Sequence, residues 1–353
     1  MDSEKKVLSV VDGNRKWPPP VWLMRQAGRH LPEYREIRAS VGSFLDLCYT
    51  PRLAAEVTLQ PVRRYNLDAA ILFSDILVIP DSLGCGVKFS ESRGPTLTPV
   101  DCDRIAALNV GGISEHLMPV FEAIRLARRD LGDDKTLIGF CGAPWTVATY
   151  MVAGQGTADH LPARKFAHAH RKSFNRLLSL LADVSADYLI RQFDAGADVL
   201  QIFESWADVL GEEDFDQFSI APIARMIYLV KSQRPQARII VFIRGAGVKL
   251  RDVRDRTGAD CLGVDWTQPL SFIAELQKQG PVQGNLDPLR LLVGGSALRD
   301  AAQHLLEGLG NGPFIFNLGH GIHPETSPDH VTELIHIIRA SGPYPAAHPT
   351  CLK

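Results

Sequence analysis

No run of eighteen uncharged apolar residues occurs in the 353-residue chain, so nothing in it reads as a membrane-spanning helix. The opening segment, MDSEKKVLSVVDGNRKW, lacks an apolar core of signal-peptide length and is not an Arg/Ser-rich transit segment. A cytoplasmic location is the expectation. Positive charge is not in excess: 38 Lys and Arg stand against 40 Asp and Glu, a net charge of -2, so nucleic acid is not an expected partner. The six cysteines, Cys48, Cys85, Cys102, Cys141, Cys261 and Cys351, form no CxxC pair and no zinc-like spacing. That speaks against a disulfide framework and against a structural metal. There is no GxGxxG opening a helix, no GxxxxGK[ST], no HExxH and no GxSxG. Gly154-Gln155-Gly156 is too short to carry meaning. With no cofactor motif, the chemistry is expected to rest on side chains and on the substrate's own electrons.

What the chain does have is a local concentration of arginine. Arg25, Arg29, Arg35 and Arg38 fall within WLMRQAGRHLPEYREIR, with only Glu33 and Glu36 to offset them. Guanidinium groups grip carboxylate or phosphate bidentately and stay charged at any working pH. The apolar run before Arg25 reads as a strand delivering arginines to its own end. A pocket for a small polyanion is the first expectation. Arg35 and Arg38 share one face of a helix opened by Pro32. For Arg35, pairing with Glu33 or Glu36 is an equally good reading.

Eight short apolar runs follow one another: Val21–Met24, Ala69–Phe73, Leu137–Cys141, Val199–Phe203, Ile239–Ile243, Cys261–Asp265, Pro281–Gly284 and Phe314–Leu318. Most are near-continuous and β-branched or aromatic, as buried parallel strands are. Helical spacing lies between several of them, as in Leu117–Leu131 and Phe174–Tyr188, with Gly196 as a stop. Ser327-Pro328-Asp329 offers a cap before a helix running to Ile338. No sequence repeat and no low-complexity linker is evident. Strand–helix alternation repeated eight times predicts an α/β fold, a single-domain (β/α)8 TIM barrel over residues 1–353. Its core is expected at about residues 20–340, with loose tails at both ends.

Polar or special residues follow most of these runs: Arg25, Ser74-Asp75, Gly142-Ala143-Pro144-Trp145, Glu204-Ser205, Arg244, Trp266, Asn285-Leu286-Asp287 and Gly319-His320-Gly321. In a barrel they converge on the C-terminal face, where active sites sit. Asp75 stands between the apolar runs AAILF and ILVIP, so its carboxylate is poorly solvated unless it serves a site or a buried pair. A helix N-cap is the plainer alternative. Tyr150, taken alone, reads as a packing residue with a satisfied hydroxyl. Ser205 is as good a cap as a ligand contact. The glycines beside His320 let the backbone approach something closely, which favours a functional role.

The segments MRQAGRHLPEYREIR, FSDILVIP, GAPWTVATYMVAG, FESWA, GVDW, QGNLDP and NLGHGI, in this order, resemble the uroporphyrinogen decarboxylase family of the haem pathway. The likeness runs from about Trp22 to Ile338. It implies a barrel acting as a homodimer, without metal or organic cofactor, as a carboxy-lyase. The implied reaction removes four acetate carboxyls from uroporphyrinogen III, giving coproporphyrinogen III and carbon dioxide. By resemblance, Arg25, Gln26, Ala27, Gly28 and Arg29 form a substrate-binding loop. Arg38, Tyr150, Ser205 and His320 match further binding positions, and Asp75 matches the family's key carboxylate. Asp75, Arg25 and His320 are the candidate catalytic residues.

The implied chemistry has a physical reading. Protonating a pyrrole α-carbon makes an iminium-like ring that accepts the electrons left when carbon dioxide departs. Asp75 accepts the pyrrole N–H groups, and its charge stabilises the developing cation, the more strongly for being poorly screened. Arg25 and His320 are both candidates to deliver the proton. Arginine releases one reluctantly, and the ordinary pKa of histidine suits the task better. The sequence does not decide between them. Two departures from the family pattern stand out: His30 where tyrosine is usual, and Arg244 in a segment that often carries lysine. Two rival readings remain: a zinc-dependent cobalamin or thiol methyltransferase on the same barrel, and a porphyrin-binding protein without catalysis. The first needs a His-x-Cys pair and a later cysteine at strand ends, where Arg244-Gly245 and Gly319-His320 stand instead.

Overall fold

A computed structural model describes residues 4–90 and 94–342. Its main sheet is parallel and seven-stranded. The strands are β1 (Ala69–Ile71), β4 (Thr136–Gly142), β5 (Val199–Glu204), β6 (Arg238–Ile243), β7 (Cys261–Gly263), β8 (Val282–Leu286) and β9 (Phe314–Leu318), hydrogen-bonded in that order. The remaining strands, β2 (Lys88–Ser90) and β3 (Gly94–Thr96), form a small antiparallel ribbon outside it. Every residue of β4, β5, β8 and β9 is buried, as continuous apolar runs require.

Seven of the eight expected runs are strands of this sheet, Pro281–Gly284 among them as β8. Val21–Met24 is not. It makes one parallel bridge, Val21 to Phe316 of β9, yet it occupies the eighth position. On one side Phe316 N donates to Pro20 O at 2.9 Å. On the other, Asp68 N donates to Val21 O at 3.0 Å and Val21 N donates to Asp68 Oδ2 at 2.7 Å. The curled sheet closes through this segment. The pairing stops after one residue because Met24 N turns to the side chain of Asn317 at 2.9 Å and Leu23 N to that of Gln26 at 3.0 Å.

The Asp68 clasp recurs. Asp198 N donates to Leu137 O while Leu137 N donates to Asp198 Oδ2; Asp260 and Ile239 do the same. In each case the aspartate precedes a strand and follows, two residues on, a residue with positive φ: Asn66, Gly196 or Gly258. Two of the three share the tripeptide Gly-Ala-Asp, Gly196-Ala-Asp198 and Gly258-Ala-Asp260. The left-handed residue reverses the chain out of a helix, and the aspartate then stitches the new strand to its neighbour.

The helices follow their sequence signals closely. Met118–Asp130 and Arg171–Asp194 bury the predicted apolar faces, the second longer than its pattern suggests, and Gly196 lies just past its end. Ser327 caps Pro328–Ala340 through its side chain to Asp329 N. The described part of the N-terminal tail is packed rather than loose. A helix at Lys6–Val11 buries Val7, Val10 and Val11 against side chains of the barrel interior. Lys5–Asp198 and Arg238–Asp12 ion pairs, both 2.5 Å, tie its ends to the bottom of the sheet. The barrel's N-terminal opening is apolar, and this amphipathic turn is what covers it. The expected loose C-terminal tail lies outside the described residues. No helix of the described residues is long and apolar enough to cross a membrane.

Candidate active site

Arg25 leaves the end of the first barrel segment in the left-handed region, at φ +61°. A non-glycine residue there stores strain that its surroundings must hold. The hold comes from Gln26, whose side chain accepts from Leu23 N and donates to Ala69 O, both at 3.0 Å. Gln26 is therefore buried inward as a staple between the loop and β1, not turned to the rim. Ala27 and Gly28 are half-buried, and Leu31 N donates to Gly28 O, which closes the loop.

Arg35 pairs with neither glutamate. It donates to Arg29 O at 2.8 Å and to His30 O at 3.4 Å, bracing the same loop from outside. Glu33 is taken instead by Arg64, at 2.7 and 2.9 Å, across thirty-one residues of sequence. Arg25 and Arg29 are exposed, and Arg38 is half-buried with one bond to Val41 O at 3.3 Å. No carboxylate of the described residues is within ion-pair distance of Arg25, Arg29, Arg35 or Arg38.

Asp75 follows β1. Its Oδ1 accepts from Leu77 N at 2.8 Å, an Asx turn ahead of the short helix Val78–Ser82. Asp75 is not the N-cap of that helix, which is Leu77, and the turn uses one carboxylate oxygen. Burial pushes the carboxyl up to about 6, against the opposing pull of the Leu77 N–H and the Arg25 guanidinium. Tyr150 comes from helix Pro144–Ala153, which follows β4. Burial first, and then the charge of Asp75, raise its phenol above the ordinary value, with Arg25 acting the other way. Arg25, Asp75 and Tyr150 thus share one electrostatic neighbourhood.

His320 follows β9. Burial drives its imidazole down to about 3, and the charges of Arg25 and Arg244 add to the effect. It is therefore neutral throughout the working range. Its ordinary pKa, which favoured it as proton donor, does not apply where two guanidinium groups face a desolvated ring. The glycines on either side approach parts of the site itself. A Cβ on Gly321 would overlap the Arg25 side chain, and one on Gly319 would overlap the Trp266 backbone.

Ser205 follows β5 on the other wall. Its N–H donates to Thr146 Oγ1 at 2.8 Å, and Thr146 Oγ1 in turn donates to Glu204 Oε1. Glu204 is fully buried, and desolvation pushes it up to about 8, so it is held largely in its neutral form. Sequence reasoning passed over Glu204 as a site residue. Its signal was a carboxylate ending an apolar strand, the same signal that flagged Asp75. Asp265, also fully buried, accepts from Gly245 N, Thr267 N and Thr267 Oγ1 and so fixes the turns after β6 and β7. No three His, Cys, Asp or Glu side chains of the described residues cluster as metal ligands.

A family profile described as "Uroporphyrinogen decarboxylase (URO-D)" matches residues 2–341. Uroporphyrinogen decarboxylase of Sinorhizobium fredii is 60% identical over 340 residues, covering 96% of this chain and 99% of the relative. That of Agrobacterium fabrum is 58% identical with the same coverage. Among solved structures, a methyltransferase from Methanosarcina mazei shares the fold, at TM-score 0.78 and 23% identity over 95% of this chain and 98% of that one. A B12-independent methionine synthase from Shewanella superposes at TM-score 0.58 and 14% identity, over 91% of this chain and 95% of that one. The barrel, its arginine-rich rim and the length of the match agree: the chain belongs to the uroporphyrinogen decarboxylase family.

Proposed function

We propose that this chain removes the four acetate carboxyls of uroporphyrinogen III, yielding coproporphyrinogen III and carbon dioxide. The observation that carries the reading is Asp75, a desolvated carboxylate with one oxygen bonded to Leu77 N and the other unbonded. It stands in the field of Arg25, within a rim of arginines that have no carboxylate partners among the described residues. Free guanidinium groups suit a substrate ringed by carboxylates. The unbonded Asp75 oxygen suits a ring whose N–H groups face inward and which turns cationic during reaction. Protonation of a pyrrole α-carbon makes the electron sink, the acetate carbon–carbon bond breaks and carbon dioxide leaves. A proton added to the exocyclic carbon then completes the methyl group, and the α-carbon releases the first proton to restore the pyrrole, so one proton is consumed per carboxyl lost.

Arg25, Arg29 and Arg38 hold carboxylates, with Ala27 and Gly28 shaping the loop that carries the first two. Tyr150 and Ser205 line the walls, and neutral His320 donates a hydrogen bond from its ring N–H. Arg25, strained and close to both Asp75 and His320, is the residue that guides the proton to carbon, either giving it up transiently or orienting a water that does. The enzyme works as a cytoplasmic homodimer. Val248, Leu289 and Val293, exposed on segments after β6 and β8, offer apolar surface for the second copy.

Incubation with uroporphyrinogen III under reducing conditions, with carboxyl loss followed stepwise, tests this. Appearance of hepta-, hexa-, penta- and tetracarboxylate products is expected. Binding without conversion would leave a porphyrin carrier instead. Active protein that requires one zinc per chain would move the assignment towards the methyltransferases.

A further inference from the structure

Arg244 follows β6 on the wall opposite the arginine loop, and its backbone is tightly set. Its N–H donates to Glu204 O at 2.8 Å, and the next N–H, that of Gly245, donates to Asp265 Oδ2 at 2.8 Å. Gly245 turns at φ +71°, where a Cβ would run into the Asp208 side chain, so only glycine serves there. The guanidinium then lies over two indoles, 5.4 Å from the centroid of Trp206 and 5.6 Å from that of Trp266. Such stacking holds the fork in place and covers its faces, leaving the N–H edges for ligands.

Those edges are almost unused. One N–H reaches Ser205 O at 3.5 Å, and no carboxylate of the described residues is within ion-pair distance. Asp265, the nearby acid, spends its oxygens on Gly245, Thr267 and Gln268. A half-buried guanidinium with four idle donors is costly unless an anion arrives to meet it. The place faces the candidate site. The Trp266 and Phe242 rings lie 6.3 and 6.1 Å from the His320 ring, between Arg244 and the Arg25 side of the mouth.

We infer that Arg244, clamped between Trp206 and Trp266, is a further substrate-binding residue that takes a carboxylate on the far edge of the tetrapyrrole. The inference rests on the proposed function, since it assumes a ligand carrying carboxylates around its whole rim. One loop reaches only one side of such a disc. A fixed cation on the β5–β6 wall holds the opposite side, so that one ring at a time is presented to Asp75. The carboxylate accepts two parallel N–H bonds from the fork, and the indoles keep the fork from swinging away.

Two variants test it, Arg244→Gln and Arg244→Lys. The readouts are steady-state kinetics on uroporphyrinogen III and equilibrium binding of uroporphyrin III, its oxidised fluorescent counterpart. Loss of a charge-assisted pair raises KM and Kd roughly tenfold to hundredfold in Arg244→Gln. Its kcat stays within about threefold, because the contact serves substrate and transition state alike. Arg244→Lys keeps the charge but not the planar fork and falls between. Wild-type KM and binding in a folded Arg244→Gln would overturn the inference and leave the proposed function intact. If Arg244→Gln does not fold, Arg244→Lys decides: wild-type KM with a lowered melting temperature would make the arginine a packing residue and overturn it. A wild-type chain that neither binds nor converts the octacarboxylate overturns both.

Discussion

Asp75 puts function and stability in opposition. Its folded pKa, about 6, lies above the ordinary 3.8 because burial disfavours the charged form. The stability it contributes is therefore present below pH 4 and lost as pH rises through 6. The proposed reaction needs the charged form. Asp75→Asn keeps the acceptor for Leu77 N and drops the charge, so kcat should fall by roughly a hundredfold or more. The same variant should unfold at a higher temperature than wild type at pH 7.5, with the difference gone at pH 4. Wild-type turnover in Asp75→Asn would remove the residue from the mechanism. A second expectation concerns the pH–rate profile. The acid limb of kcat/KM should lie near pH 6 from Asp75, with no limb from His320 between pH 5 and 8, since that ring is held neutral down to about 3. A His320 NMR resonance titrating near 6.5 would contradict this. Much at this scale was legible. The flanking apolar runs announce that Asp75 is desolvated, and the arginine excess announces unpaired cations. Partners were not legible: Glu33 goes to Arg64, and Arg35 to two carbonyls, because long side chains choose among neighbours that only folding supplies.

Between residues and fold stand the turns at the strand ends, and here the glycines matter. In NLGHGI, Gly321 gives room to the Arg25 side chain and Gly319 to the backbone of Trp266. Gly321→Ala should displace a flexible side chain from the site. A loss of turnover with little change in melting temperature is expected. Gly319→Ala meets backbone that cannot yield, so it should lower the melting temperature as well as activity. Thermal unfolding and steady-state kinetics on the pair separate the two cases, and equal effects on both readouts would refute the distinction. The sequence pattern pointed to close approach at this turn but not to what approaches. Element identity was legible wherever periodicity ran long, as in Met118–Asp130 and Arg171–Asp194. It failed at Val21–Met24, whose strand-like composition is overridden by side-chain acceptors on Gln26 and Asn317 that take its N–H groups.

For the whole molecule, closure of the barrel depends on Asp68. Its carboxylate accepts from Val21 N at 2.7 Å and from Arg339 of the last long helix at 2.6 Å, joining the first segment, β1 and the C-terminal helix. Asp68→Ala should cost about 2–4 kcal/mol, the range for removing one partner of a buried, hydrogen-bonded charge. Urea unfolding measures it, and a loss below about 0.5 kcal/mol would show that closure does not hang on this clasp. The sequence by itself determined the fold class, the order of its strands and the family. These follow from local apolar patterning and from short motifs, which survive in one dimension. Only the tertiary structure decided how the first segment closes the sheet, that the N-terminal helix covers the barrel's bottom, that His320 is neutral and that Arg244 lies between two tryptophans. Each of these depends on desolvation or on contacts between segments far apart in the chain, and such quantities exist only once the chain has folded.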